Sequence, residues 1–79
     1  IVAHAVSVAS VLEECLGELA PREADIVRSR FLAADEETLA EIGVRHGVSS
    51  ERIRQLEKRA LAGLRAALRR RGLRLDDLL

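Results

Sequence analysis

The chain is short of the side chains that fill most small cores. It has no tryptophan, tyrosine or methionine, and its one aromatic residue is Phe31. The core of these 79 residues must therefore be aliphatic. It must also be modest, because chains this short bury only about 60% of their surface. A single cysteine, Cys15, excludes an internal disulfide and a cysteine zinc site. With one proline and five glycines there are few breakers, and nothing alternates apolar and polar long enough to suggest a sheet. No apolar run approaches the length of a membrane span. There is no Gly-rich phosphate loop or metal-ligand cluster, and His4 and His46 are remote in sequence, so no enzyme, metal or cofactor is expected. No signal peptide is visible, and the chain starts with Ile1 rather than Met. That reads as a cytoplasmic piece of something longer.

A net charge of zero conceals an asymmetry. Residues 1–44 carry three basic and nine acidic groups, a net of −6, whereas residues 45–75 carry ten basic and two acidic groups, a net of +8. Such a split predicts a polyanion at one end and a different partner at the other.

The apolar spacing predicts one all-α domain over residues 1–79: four helices, a helix-turn-helix at about 38–71 and a long C-terminal recognition helix. The first helix runs from Val2-Ala3-His4 to Leu19, with Val8, Val11, Leu12, Cys15, Leu16 and Leu19 on the helical period. Cys15 reads as a core residue and His4 as solvent-exposed. Pro21 suits the first turn of a second helix, with Glu23 and Asp25 near its positive end. That helix extends to about Phe31 or Leu32, with Ala24, Val27 and Phe31 on one face, Ile26 beside them, and Arg22, Arg28 and Arg30 outward. Thr38 with Glu41 three residues on forms a capping box. It opens a short helix to His46, with Leu39 and Ile42 inward.

Gly43, inside that helix, costs about 1 kcal/mol relative to Ala, which predicts a close approach of another helix. Gly47 reads as a left-handed cap, His46 as a partner of the helix's negative end and Ser49 as the next N-cap. The fourth helix then runs without a breaker to Arg71, long enough that part of it is expected to project past the core. Gly72 ends it, and Leu73 to Leu79 read as one more turn folded back by its leucines. Gly63 weakens the fourth helix and has no evident function.

On this fourth helix Ile53, Leu56, Ala60, Leu64 and Ala67 share a narrow stripe, and Glu51, Arg54, Gln55 and Lys58 fall opposite. A face mixing a carboxylate, an amide and cations matches phosphates and the edges of bases in a major groove. The same charges also suit a merely solvated face. A helix-turn-helix alone is weakly specific.

The run Leu19-Ala20-Pro21-Arg22-Glu23, Ile26-Val27-Arg28-Ser29-Arg30-Phe31, Thr38-Leu39-Ala40-Glu41-Ile42-Gly43, Val48-Ser49-Ser50-Glu51-Arg52-Ile53-Arg54-Gln55-Leu56-Glu57 and Ala60-Leu61 to Leu64-Arg65 resembles region 4 of bacterial sigma factors. The likeness is to the housekeeping and heat-shock branches. It implies binding of the −35 promoter element, docking on the flap of the RNA polymerase β subunit, and contacts with activators or anti-sigma factors. Carried over by position, Ser50, Glu51 and Gln55 would face bases. Arg52, Arg54 and Lys58 would hold phosphates or flanking bases, with Arg45 meeting the backbone and Ser49 capping at the interface. Ser50 stands where the housekeeping branch usually has a guanine-reading arginine, which implies an alternative sigma factor. The flap surface is expected around Val11, Ile26, Val27 and Phe31, on helices with more apolar residues than one small core needs. Two other readings remain: the helix-turn-helix of a non-sigma regulator such as the LuxR type, and a helical interaction module that never touches DNA.

Overall fold

Local capping sets the bounds of the two longest helices in this computed structural model. The structure describes residues 10–77. The expectations for Val2, His4, Val8, Leu78 and Leu79 lie outside the described residues. Among the described residues, helix α1 covers residues 10–16. It stops short of the expected Leu19, and the Leu19 N–H closes a tighter turn on the Leu16 carbonyl at 3.0 Å. Helix α2 (Pro21–Val27) opens on its proline and passes into a wide π-helical turn, Arg28–Leu32. Helices α3 (Leu39–His46) and α4 (Ser50–Arg70) follow, then a 3₁₀ turn, Leu75–Asp77. No strand occurs among the described residues.

The π turn corrects the predicted face of α2. The Ala33 N–H donates to the Arg28 carbonyl five residues back, at 2.9 Å. The wider turn shifts the side-chain phase. Phe31, expected on one face with Ala24 and Val27, parts from them: it is 40% exposed while they are buried, and Ser29 takes a buried place at 8%. Arg30 also turns partly inward, to the Glu57 carboxylate of α4 at 2.7 Å.

Two caps follow the sequence closely. The Thr38 hydroxyl accepts from the Glu41 N–H at 3.1 Å, while the Glu41 carboxylate accepts from the Thr38 N–H at 2.8 Å. The Ser49 hydroxyl accepts from the Arg52 N–H at 3.0 Å. Gly47, at φ 69°, turns the chain so that the Val48 N–H reaches the Gly43 carbonyl at 2.9 Å. Gly72, at φ 73°, does the same for Leu73 and the Leu68 carbonyl. Both are six-to-one closures of the Schellman kind, which satisfy carbonyls the helix end would orphan.

The core lies along α4 in two clusters. Ile53 and Leu56 of its first half meet Ile42 of α3 and Ile26 of α2, with Leu39 and Val48 packed against them. Ala60, Leu64, Ala67 and Leu68 of its second half meet Cys15 and Leu16 of α1, Ala24 and Val27 of α2, and Leu75 of the tail. Helix α2 joins the clusters by sending Ile26 to one and Val27 to the other. The second half of α4 does not project past the core, as its length suggested: α1 and the returning tail cover it. Burial raises the Cys15 thiol above its ordinary value, in keeping with a core role.

Candidate nucleic-acid interface

The turn between α3 and α4 is held by a missing side chain. A Cβ on Gly43 would lie 2.6 Å from the Val48 carbonyl oxygen and 3.4 Å from the Ser50 nitrogen. The close approach is thus made by the turn and the first residue of α4. It lets Ile42 and Ile53, both fully buried, meet in one cluster.

With Ile53 and Leu56 fixed inward, helical geometry sets what faces out. Ser49, Ser50, Glu51, Arg52, Arg54, Gln55 and Lys58 are all exposed. Their contacts stay within the first turns of α4. Arg54 grips the Glu51 carboxylate through Nε at 3.0 Å and Nη2 at 2.6 Å. The hydrogen bonds from Arg54 hold the Glu51 carboxyl below its usual range. Arg52 reaches the Gln55 amide oxygen at 3.4 Å. Among the described residues, Arg52 and Lys58 form no ion pair.

Arg45 has partners within the fold that the sequence did not reveal. Expected at the DNA backbone, it donates to both oxygens of Glu37 at 2.8 Å, to Asp25 at 3.1 Å and to the Ser29 hydroxyl at 2.9 Å. Its charge is met by two carboxylates, and it clamps α3 to α2 and to the loop before α3. His46 completes the cluster, its Nε2 lying 2.7 Å from Asp25. Desolvation pulls the Asp25 carboxyl up, but the hydrogen bonds to His46 and Arg45 leave it below its ordinary value. His46 thus meets a side chain of α2 in addition to its place in the last turn of α3.

The four residues expected at a polymerase surface separate. Ile26 and Val27 are fully buried, so neither can meet a partner. Val11 is half-buried against the second cluster. Phe31 is exposed, joined by Leu32, which the periodicity did not single out. The physical cause is the π turn, which needs one residue more per turn than the period assumes.

The charge asymmetry also resolves differently in space. Glu18 binds Arg70 and Arg71, Glu13 binds Arg28, Glu37 binds Arg45, and Glu23 approaches Arg59 at 3.8 Å. Most acids of the first half therefore neutralise cations packed beside them, and the two halves attract each other. Gly63 gains an account here too: a Cβ there would meet the Leu19 side chain at 2.7 Å.

Among the described residues, no group of His, Cys, Asp or Glu is arranged to hold a metal ion, and no helix is long and apolar enough to cross a membrane. Two helices joined by a glycine turn, the second with its inner face buried and its outer face polar, define a helix-turn-helix domain. The sigma-70 region 4 profile matches residues 15–66. The RNA polymerase principal sigma factor HrdD of Streptomyces coelicolor is 44% identical over 63 residues, 77% of this chain and 19% of that protein. The RNA polymerase sigma factor RpoH of Caulobacter vibrioides is 45% identical over 60 residues, 76% of this chain and 20% of that protein. The chain belongs to the sigma-70 region 4 family. It spans about a fifth of the length of these curated relatives.

Proposed function

We propose that the domain reads the −35 element of a promoter as region 4 of an RNA polymerase sigma factor in the cytoplasm. One observation carries this reading: the first half of α4 buries Ile53 and Leu56 and leaves Glu51, Arg54, Gln55 and Lys58 in solvent. Within a groove, Glu51 accepts from cytosine N4 and Gln55 pairs with adenine, each good pairing giving about 1–3 kcal/mol of discrimination. Ser50 offers a hydroxyl and no guanidinium, so the preference departs from a guanine-reading one. Arg52, Arg54 and Lys58 serve phosphates, and Ser49 fixes the entry of the helix. Arg45 meets the backbone beside the helix, held in place by Glu37 and Asp25.

The test is a pair of variants titrated on duplexes differing at single positions. Gln55→Ala should lose about 10- to 100-fold on one sequence only. Lys58→Ala should weaken all duplexes alike and lower the salt slope by about 0.9. Equal losses on every sequence for both would mean that Gln55 reads no base. A wild-type affinity indifferent to salt would favour a protein-interaction module.

The polymerase-facing side of the proposal moves with the structure. Phe31 and Leu32 stand exposed at the π turn, and Leu32 lines a cleft with Glu13, Arg28, Ser29 and Ala33. Together with the partly exposed Val11, they are the surface assigned to the β-subunit flap. Phe31→Ala should reduce binding to the isolated flap while leaving DNA affinity intact; unchanged flap binding by the folded variant would remove the assignment. Activators and anti-sigma factors are further partners that membership of this family implies.

A further inference from the structure

The internal ion pairs sort the cations of α4. Arg59, Arg70 and Arg71 are drawn to acids of α1, α2 and the turn between them. Arg65 and Arg69 are exposed and, among the described residues, form no ion pair. They lie seven and eleven residues beyond Lys58, which places all three on one line of the helix. At the far end, the Schellman turn at Gly72 brings the chain back, so that Arg74 faces the same space. Arg65, Arg69 and Arg74 line a cleft of about 190 Å³ with Leu73, Leu75 and Asp76. Three guanidinium groups against one carboxylate leave this cleft cationic.

From this arrangement we infer that the Arg65–Arg69–Arg74 cleft is a second nucleic-acid site, one that holds backbone phosphates of duplex DNA beyond the groove entered by the first half of α4. The inference rests on the DNA-binding reading above. Helix rise supplies the reach. The base-facing residues centre near residue 53, and at 1.5 Å per residue Arg65 and Arg69 stand about 18 and 24 Å further along. A major groove is about 12 Å wide, so these arginines pass its edge and arrive at flanking backbone. They contribute affinity without sequence preference, because phosphates carry no base information. Planar guanidinium groups take phosphate oxygens in pairs, and several around one space suit a tetrahedral anion better than a single lysine does. The alternative macromolecule is an acidic protein segment, which the same experiment separates.

The experiment uses the full 79-residue chain and random-sequence duplexes of 12 and 30 base pairs, titrated over a range of NaCl. The wild type should show a steeper salt dependence on the longer duplex. Arg65→Gln with Arg69→Gln should lower that slope by about 1.8, two phosphates at 0.9 each, and leave binding to the shorter duplex nearly unchanged. Lysines at both positions should restore most of the slope. Because both side chains are exposed, circular dichroism should show the fold retained. If the double variant keeps the wild-type slope on the long duplex, the cleft holds no phosphate and the inference fails while the DNA reading stands. If the variant instead loses binding only to core polymerase or an acidic protein, the cleft is a protein site and the inference is overturned. If the wild type binds neither random duplex, the cleft supplies no sequence-independent affinity and the inference fails, while the promoter reading is decided separately on the single-position duplexes above.

Discussion

The two halves of α4 share an apolar stripe and a cationic outer face but have different surroundings. Both are rich in arginine, and both bury an aliphatic stripe. The first half buries its apolar stripe against α3 and Ile26 of α2; the outer side chains of its first turns pair with each other, and Glu57 and Arg59 further along reach Arg30 and Glu23. The second half is enclosed by α1, α2 and the tail, and at its end Arg70, with the cap residue Arg71, is claimed by Glu18. Whether a cation on this helix is free for a ligand thus depends on which acid lies beside it. The local sequence around each arginine does not reveal that.

The largest way to break the comparison is to remove a side chain from the enclosed half. Leu64→Ala takes a fully buried side chain from the cluster shared with α1, and should cost about 3 kcal/mol in urea unfolding. A loss confined to the α1 contact, with the helix-turn-helix still folded at native urea midpoint, would show that the halves fold separately.

Next in size is Gly43→Ala. Its Cβ would press on the Val48 carbonyl, a backbone atom that cannot swing away. The strain outweighs the better helix propensity of Ala, and about 2 kcal/mol of stability should be lost. DNA affinity should fall as well, since the turn aims α4. A neutral substitution would mean that the turn relaxes freely.

Glu57→Gln comes third. The Arg30–Glu57 pair is half-buried and ties the π turn to α4 at the boundary between its halves. About 1 kcal/mol should be lost, measured by the shift in urea midpoint.

Acid tests the enclosed half more gently. Hydrogen bonds from Arg71 and Arg70 hold the Glu18 carboxyl below its usual range, and Arg45 does the same for Glu37. A depressed carboxyl stabilises the fold above its unfolded pKa, and that contribution disappears as pH falls through the folded value. Stability should therefore decline below about pH 4.3. Glu18→Gln should flatten this decline.

Smallest of all is Glu51→Gln, on the open half. Its partner Arg54 is exposed on the same helix, so the urea midpoint should stay within error. Any effect should appear in sequence preference, measured on single-position duplex variants.

Much of the helix-turn-helix was legible from adjacent residues. Thr38 with Glu41, Gly47 and Ser49 act over one or two turns, and short-range spacing carries such signals. The outer face of α4 followed from the apolar stripe opposite it. The cationic line through Lys58, Arg65 and Arg69 was equally readable by continuing the same wheel, but its freedom from carboxylates was not. The fate of α2 was hidden, because the π turn at Arg28–Leu32 breaks the 3.6-residue period that had put Phe31 on one face with Ala24 and Val27.

By itself the sequence determined the helices, their caps, the turn at Gly47 and the two-faced character of α4. These depend on backbone geometry and on neighbours within about four positions. The tertiary structure alone decided that Ile26 and Val27 are core, that Phe31 and Leu32 are surface, that Arg45 ties α3 to α2, and that Arg65 and Arg69 have no carboxylate partner among the described residues. Those outcomes rest on contacts between residues far apart in the chain, such as Glu18 with Arg70, Asp25 with Arg45 and Arg30 with Glu57. Only packing brings such partners within reach.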